Sequence, residues 1–244
     1  MTPGALLSWP LRFAIDFALP PRCASCGAVV DEVGLFCPAC WPKVDWLAGG
    51  CQRCGLPLRG TDADTCAACL AEPGKLDRVR AAVAYDERAR SLVLRLKYGR
   101  KTALAKVMAG YMLRPLRELE GGALLVPVPL HRSRLWSRGF NQSALIAAAL
   151  AKGSDHPCDP FLLERKRRTP KLKGMTVSDR KKAVKGAFAL RAGRNVRGRH
   201  LILVDDVYTS GSTAEACARL LKRKGAASVS LLAWARVVAP QRVG

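Results

Sequence analysis

The sequence predicts an α/β fold, a mostly parallel sheet with helices on both faces, preceded by a small cysteine-rich module. Three observations carry that reading. From residue 79 onward, apolar runs of strand length alternate with segments of helical period, the pattern of consecutive βαβ units. Eight of the ten cysteines form four Cys-x-x-Cys pairs before residue 70. The charge divides near the same place: the 244-residue chain carries a net +22, yet residues 1–78 hold seven basic and eight acidic residues, which leaves +23 on residues 79–244. With 49% hydrophobic residues the chain can bury a core, which excludes a disordered basic tail. Three segments are therefore expected: an amphipathic helix over 1–20, the cysteine module over 21–78 and the α/β domain over 79–244.

The amino-terminal stretch is apolar but has no basic leading segment, carries Asp16 and offers no small-residue cleavage site, so no signal peptide is expected. No apolar run approaches 18 residues, and no membrane span is expected either.

The paired cysteines are Cys23 and Cys26, Cys37 and Cys40, Cys51 and Cys54, and Cys66 and Cys69, separated by ten, ten and eleven residues. Each pair presents two thiolates from one tight turn, and two pairs complete a closed tetrathiolate zinc site, so the expectation is two structural zinc ions. Sequential sites and an interleaved cross-brace use the same ligands, and spacing does not choose between them. Gly27 and Gly55 supply the backbone freedom that such turns need. A metal-type pattern of this kind fits a reducing, cytoplasmic setting. Trp41 and Trp46 are expected to pack between the zinc loops, and the unpaired Cys158 and Cys217 to be small core or surface residues.

Along the second part, residues 79–85 alternate as a strand, and residues 87–98 and 102–119 carry apolar positions at helical spacing. A short buried strand follows at 123–128, a helix at 138–152 and a strand at 161–164. Residues 165–185 hold ten basic residues and one acid, and read as a mobile loop. A small strand at 187–190, a strand at 201–204, a helix at 212–224 closed by Gly225, and a strand at 227–236 complete the chain.

The most informative stretch runs from Leu201 to Thr213, Leu-Ile-Leu-Val-Asp-Asp-Val-Tyr-Thr-Ser-Gly-Ser-Thr. A buried strand ends in the carboxylates Asp205 and Asp206, and the loop Thr209, Ser210, Gly211, Ser212 and Thr213 leads into a helix. Such a loop turns backbone N–H groups and hydroxyls toward a phosphate, with the helix amino terminus favouring its charge. The carboxylates suit sugar hydroxyls and a hydrated magnesium ion. A phosphorylated ribose satisfies both. This matches the binding signature of type I phosphoribosyltransferases, which take 5-phosphoribosyl 1-diphosphate (PRPP) with magnesium.

Other segments narrow the match. Leu96-Lys-Tyr-Gly99, Val126-Pro-Val-Pro-Leu-His131, Arg138-Gly-Phe-Asn-Gln142 and Lys185-Gly-Ala-Phe188 precede the Asp-Asp loop in the order seen in the ComF family of competence-type proteins. The tandem cysteine pairs resemble that family's double zinc ribbon, and residues 17–26 resemble its helix leading into the first pair. The resemblance implies a type I phosphoribosyltransferase-like domain behind a zinc module. It implies a diphosphate loop after Val126-Pro-Val-Pro129, with His131, Arg132 and Arg134 near the anion, and a closing catalytic loop over 165–185 that includes Arg180. It further implies PRPP, single-stranded DNA and the competence machinery as partners. The chain departs from the family pattern at Leu172, where a glutamine is common, and at Ala183, where an asparagine is common. Both departures remove polar groups that hold such a loop closed. Two functions follow: a PRPP-binding protein that handles single-stranded DNA during uptake, or an active transferase of ribose 5-phosphate to a base or amine.

Overall fold

A computed structural model describes residues 20–32, 34–58, 63–169 and 176–238. The amphipathic helix expected over 1–20 and the position Leu172 lie outside them, apart from Pro20. The described residues 20–26 form turn rather than helix, with Arg22 bridged antiparallel to Val29.

Four parallel strands form the sheet: β1 (Val79–Ala84), β2 (Leu124–Pro127), β5 (His200–Tyr208) and β6 (Ser228–Arg236), in spatial order β1-β6-β5-β2. Their side chains alternate between two cores, as the period of two requires. Ile202 and Val204 of β5 join Leu232 and Trp234 of β6 on one face. Leu201 and Leu203 join Val229 and Leu231 on the other. The first face is covered by α2 (Glu87–Tyr98), α3 (Leu104–Leu116) and α5 (Gln142–Lys152), through residues such as Leu92, Leu96, Met108, Met112, Ile146 and Leu150. The second face takes α7 (Ser212–Arg223), whose Ala214, Cys217, Ala218 and Leu221 repeat at i, i+3, i+4 and i+7. Cys217 is thus a core residue. A two-stranded antiparallel ribbon, β3 (Leu163–Arg165) with β4 (Phe188–Leu190), lies beside this second core.

Four expectations change in detail. The helix expected over 138–152 is two helices, α4 (Arg132–Arg138) and α5, because Gly139 takes φ +84° and Asn141 caps α5 by accepting from the Ser143 amide. The strand expected at 201–204 runs on to Tyr208, since β6 supplies backbone partners through Tyr208↔Arg236 whether or not the side chains are apolar. The strand expected at 161–164 is displaced to β3, in register with β4. The expected loop over 165–185 begins in β3 and contains α6 (Val177–Val184), whose first turn is capped by the Thr176 hydroxyl accepting from the Asp179 amide.

The cysteine front is built onto the outer edge of β1. The Leu47 amide donates to the Ala82 carbonyl, the Ala84 amide to the Asp45 carbonyl and the Val79 amide to the Arg53 carbonyl, so this exposed strand edge is satisfied from the front. Gly55, at φ +64°, is required here: a Cβ would sit 2.6 Å from the Val79 carbonyl oxygen. The front also contributes to the core. Phe36, Trp41 and Trp46 pack with Tyr111 of α3 at ring-centroid distances of 4.9 to 5.8 Å, and Trp41 and Trp46 lie 4.7 Å apart. The expected packing role of the two tryptophans is the one observed. A single short helix, α1 (Ala67–Ala71), follows Cys66. No helix among the described residues is long and apolar enough to cross a membrane.

Candidate functional site

The cysteines gather in chain order. Cys23, Cys26, Cys37 and Cys40 form one set and Cys51, Cys54, Cys66 and Cys69 the other, each with its sulfurs within 4.8 Å of one another. This selects the sequential arrangement over the cross-brace. Cys26 and Cys37 are 3.6 Å apart and Cys54 and Cys66 3.7 Å, close to the roughly 3.8 Å edge of a tetrahedron with metal–sulfur bonds of about 2.3 Å. Backbone amides prepare one thiolate in each set: burial alone would raise Cys23, but amides of Cys37, Cys26 and Ser25 bring it down to about 6. Burial is likewise outweighed at Cys51 by amides of Cys54, Cys66 and Arg53, again to about 6. Donor type, spacing and geometry all fit zinc. With four thiolates per ion, no coordination position is left for a substrate.

The second constellation lies at the carboxyl end of the sheet. Pro127 is the last residue of β2 in register with β5, opposite Val204, and Pro129 has no N–H with which to continue the ladder. The chain therefore turns away while β5 runs on, and a crevice of about 270 Å³ opens above the strand ends. Asp205, Asp206, Thr209 and Thr213 line it, together with Lys97, Arg134, Gln142, Ser143 and Arg165.

The two carboxylates are held differently. Asp206 is buried, its Oδ2 paired with the Lys97 ammonium and its Oδ1 accepting from Gln142 Nε2 at 3.3 Å. Burial pushes this carboxyl up, but Lys97 outweighs it and holds Asp206 below the usual carboxylate range. Asp205 accepts from the Ser143 hydroxyl at 3.0 Å and from the Asp206 amide at 2.9 Å. Burial, reinforced by the neighbouring Asp206 charge, pushes Asp205 up to about 7. Asp206 is thus a neutralised anchor, and Asp205 is the carboxylate available to a cation or a polyol.

Beside them, the loop after β5 forms a recess of about 50 Å³ lined by residues 207–214. Gly211 is the N-cap of α7 at φ +72°, and no side chain caps the helix, so first-turn amides are left for an incoming anion. A Cβ on Gly211 would meet the Tyr208 ring at 2.8 Å, so the turn can lie this close to Tyr208 only with glycine. Ser210 and Ser212 share a hydroxyl contact of 3.0 Å across the loop.

Not every expected residue reaches the crevice. His131 caps α4, its Nδ1 accepting from the Ser133 amide at 3.2 Å, and Arg132 is exposed on the same helix; neither lines the cavity. Arg180 lies on α6 and does not line it either. Of the three residues expected near the anion only Arg134 lines the crevice, and it is joined by Arg165, which is 8% exposed and lies over the Phe188 ring. The Arg165 Nε has no hydrogen-bond partner among the described residues. Burial and the nearby Arg134 charge both lower its affinity for its proton, so the two guanidiniums face a space that favours an anion. Lys97 and Gln142 stand in the motifs that carry the resemblance, and Ser143 stands in none of them. Their spacing within α2 and α5 carries no sign that both helices point at the same strand end.

A double zinc ribbon domain matches residues 14–70 and a phosphoribosyl transferase domain residues 141–240. The chain is 34% identical over 208 residues to the DNA utilization protein YhgH of Salmonella typhi, covering 83% of this chain and 90% of that protein. It is 29% identical over 193 residues to competence protein F of Haemophilus influenzae, covering 76% and 84%. It is 38% identical over 111 residues to competence protein ComFC of Bacillus subtilis, covering 44% and 42%. Solved structures that it resembles include a hypoxanthine-guanine phosphoribosyltransferase of Bacillus anthracis, with a TM-score of 0.36 and 14% identity over 53% of this chain and 66% of that one. Two ordered cysteine sets ahead of a parallel sheet, with an Asp-Asp strand end and a glycine-capped loop, accompany the sequence relationship, and the chain belongs to the ComF family, a double zinc ribbon joined to a phosphoribosyltransferase domain.

Proposed function

We propose that the crevice binds PRPP with magnesium and that the protein handles single-stranded DNA during DNA uptake, in the cytoplasm and alongside competence proteins. The observation that carries the first half is the set of groups around the crevice and its adjoining recess: the uncapped loop 209–213 for the 5-phosphate, Asp205 and Asp206 beside it, and Arg134 and Arg165 for the diphosphate. That set, two guanidiniums and an anion-seeking loop with Asp205 lining both cavities, suits a phosphorylated sugar bearing a second anion. Asp205, which has no ion-pair partner among the described residues, is the residue suited to magnesium or to the ribose hydroxyls that carry it. When bound, the ion would share the negative charge of the diphosphate.

The DNA role is supported by the names of the relatives, a DNA utilization protein and two competence proteins, and by the +23 on residues 79–244. The zinc module over 21–78 then serves as a scaffold for the ligand-binding domain over 79–244. A closing role for Arg180 requires α6 to move toward the crevice.

An active transferase is the second reading, and the paired guanidiniums favour it. A nucleophile would bond to C1 of the ribose while the bond from C1 to the diphosphate oxygen breaks, the diphosphate leaving with the electron pair and Arg134 and Arg165 neutralising it. Calorimetric titration with PRPP and magnesium tests the binding; heat from the wild type that is lost in Asp205→Asn is expected, and no heat from the wild type overturns it. Diphosphate release with a panel of nucleobases or ammonia, again lost in Asp205→Asn, would establish the transferase.

A further inference from the structure

Helix α4 buries none of its seven side chains. It is held at its ends, by the His131 cap and by the Gly139 turn, rather than by a core. Trp136, in its middle, is 89% exposed, and Tyr98, at the end of α2, is 73% exposed; no other large apolar side chain among the described residues is as exposed as either. Trp41 and Trp46 show what this chain does with tryptophans that serve its packing, because both stack within an aromatic cluster. Trp136 has no ring against it among the described residues.

The surroundings select the partner. Between Glu87 and Glu118, and again between Glu120 and Asp155, there is no acidic residue. Arg132, Arg134 and Arg138 alternate with the exposed Leu135 and Trp136 along α4, and exposed Arg100 and Lys101 follow Tyr98. The Arg138 guanidinium lies over the Tyr98 ring, 5.5 Å from its centroid, which sets the carboxyl end of α4 beside the end of α2. Bare rings among cations, with no apolar face beneath them, are suited to a chain that alternates phosphates with flat bases. A membrane-seeking helix would instead show a continuous apolar stripe, whereas on α4 Arg132 stands one turn from both Leu135 and Trp136, and Arg134 and Arg138 share another side.

We propose that α4 and the turn after Tyr98 form the docking surface for single-stranded DNA, with bases stacked on Trp136 and Tyr98 and backbone phosphates on Arg132, Arg138 and Arg100. The inference rests on the DNA-handling reading above and locates it. Because Arg134 of the same helix lines the crevice, the strand passes the mouth of the phosphoribosyl site.

The test is binding of a labelled oligothymidylate to the full chain by fluorescence anisotropy, beside PRPP titration of every variant. Loss of one stacked base weakens binding on the order of tenfold, so Trp136→Ala and Tyr98→Ala should each lose about that much, with Trp136→Phe close to the wild type. PRPP affinity should be unchanged in all three, since neither ring lines the crevice. Wild-type binding that is equally strong in Trp136→Ala and Tyr98→Ala overturns the location and leaves DNA handling standing. Failure of the wild type to bind the oligonucleotide overturns both. An equal loss by Trp136→Ala toward heparin, which has charge but no bases, overturns stacking, as does capture of phosphatidylglycerol vesicles through Trp136 without oligonucleotide binding.

Discussion

The cysteine front and the crevice use polar atoms in opposite ways. In the front, eight thiols turn inward on two points, and the backbone amides around Cys23 and Cys51 turn with them. In the crevice, Asp205, Arg134, Arg165 and the first turn of α7 face a void. Inward satisfaction makes shape, whereas groups left facing solvent carry desolvation and repulsion that a ligand relieves. The front should therefore lose structure when its ion is removed, and the crevice should lose binding, and even gain stability, when its charges are removed.

Metal removal gives the largest effect. Structural zinc contributes on the order of 10 kcal/mol to the folding of such modules, and Cys23, Cys37 and Cys40 belong to the same core as α2 and α3. A strong chelator, or Cys23→Ala at a buried position, should abolish the near-ultraviolet dichroism of the Trp41 and Trp46 cluster and lower the melting temperature of the whole chain. A metal-free protein with unchanged dichroism would erase the contrast.

Next comes the anchor under the crevice. Lys97→Met leaves Asp206 buried without its cation, at a cost of roughly 3 kcal/mol in urea unfolding, because removing one partner of a buried pair strands the other. Adding Asp206→Asn should restore most of the loss. An unaltered single variant would mean that Lys97 serves the ligand and not the fold.

Asp205 tests the opposite sign. Its carboxyl titrates at about 7 in the folded chain against an ordinary value near 4, so between those values the folded state keeps a proton that the unfolded chain releases. Its contribution to stability falls as pH rises through that window and levels off above 7. Asp205→Asn keeps the acceptor for Ser143 without the charge, and should stabilise the protein by about 2 kcal/mol at pH 8 and by less at pH 5, while PRPP binding is lost. Lower stability at pH 8 would place Asp205 with the shape-making groups.

The same contrast explains what could be read from the sequence. The front was legible because ligands come in pairs three positions apart, Cys23 with Cys26 and Cys51 with Cys54, and each pair is a local device. The Asp-Asp loop was legible for the same reason. Arg165 was hidden in a run of ten cations, and only the pairing of β3 with β4 separates it from its neighbours by burying it against Phe188. Lys97 meets Asp206 across 109 positions of chain, and no local pattern encodes that meeting. The displaced boundaries have one cause as well: side-chain polarity ended the expected strand at Val204, while the backbone pairing with β6 carried it through the carboxylates to Tyr208.

The smallest effects fall on His131 and Arg132, and they test where the anion end of the crevice lies. Both follow the proline-rich strand end, the place from which the resemblance brings diphosphate ligands, yet His131 Nδ1 is occupied by the Ser133 amide and hydroxyl. His131→Ala should cost about 1 kcal/mol or less as a lost cap on a helix that buries nothing. Arg132→Ala should leave PRPP affinity within about twofold, since a solvated cation outside the cavity contributes little through screened charge. Arg134→Ala, one side chain further into the crevice, should weaken PRPP about tenfold, the worth of one charge-assisted bond to phosphate. If Arg132→Ala and Arg134→Ala weaken PRPP equally, the whole of α4 swings onto the diphosphate, and its exposed arginines belong to the crevice.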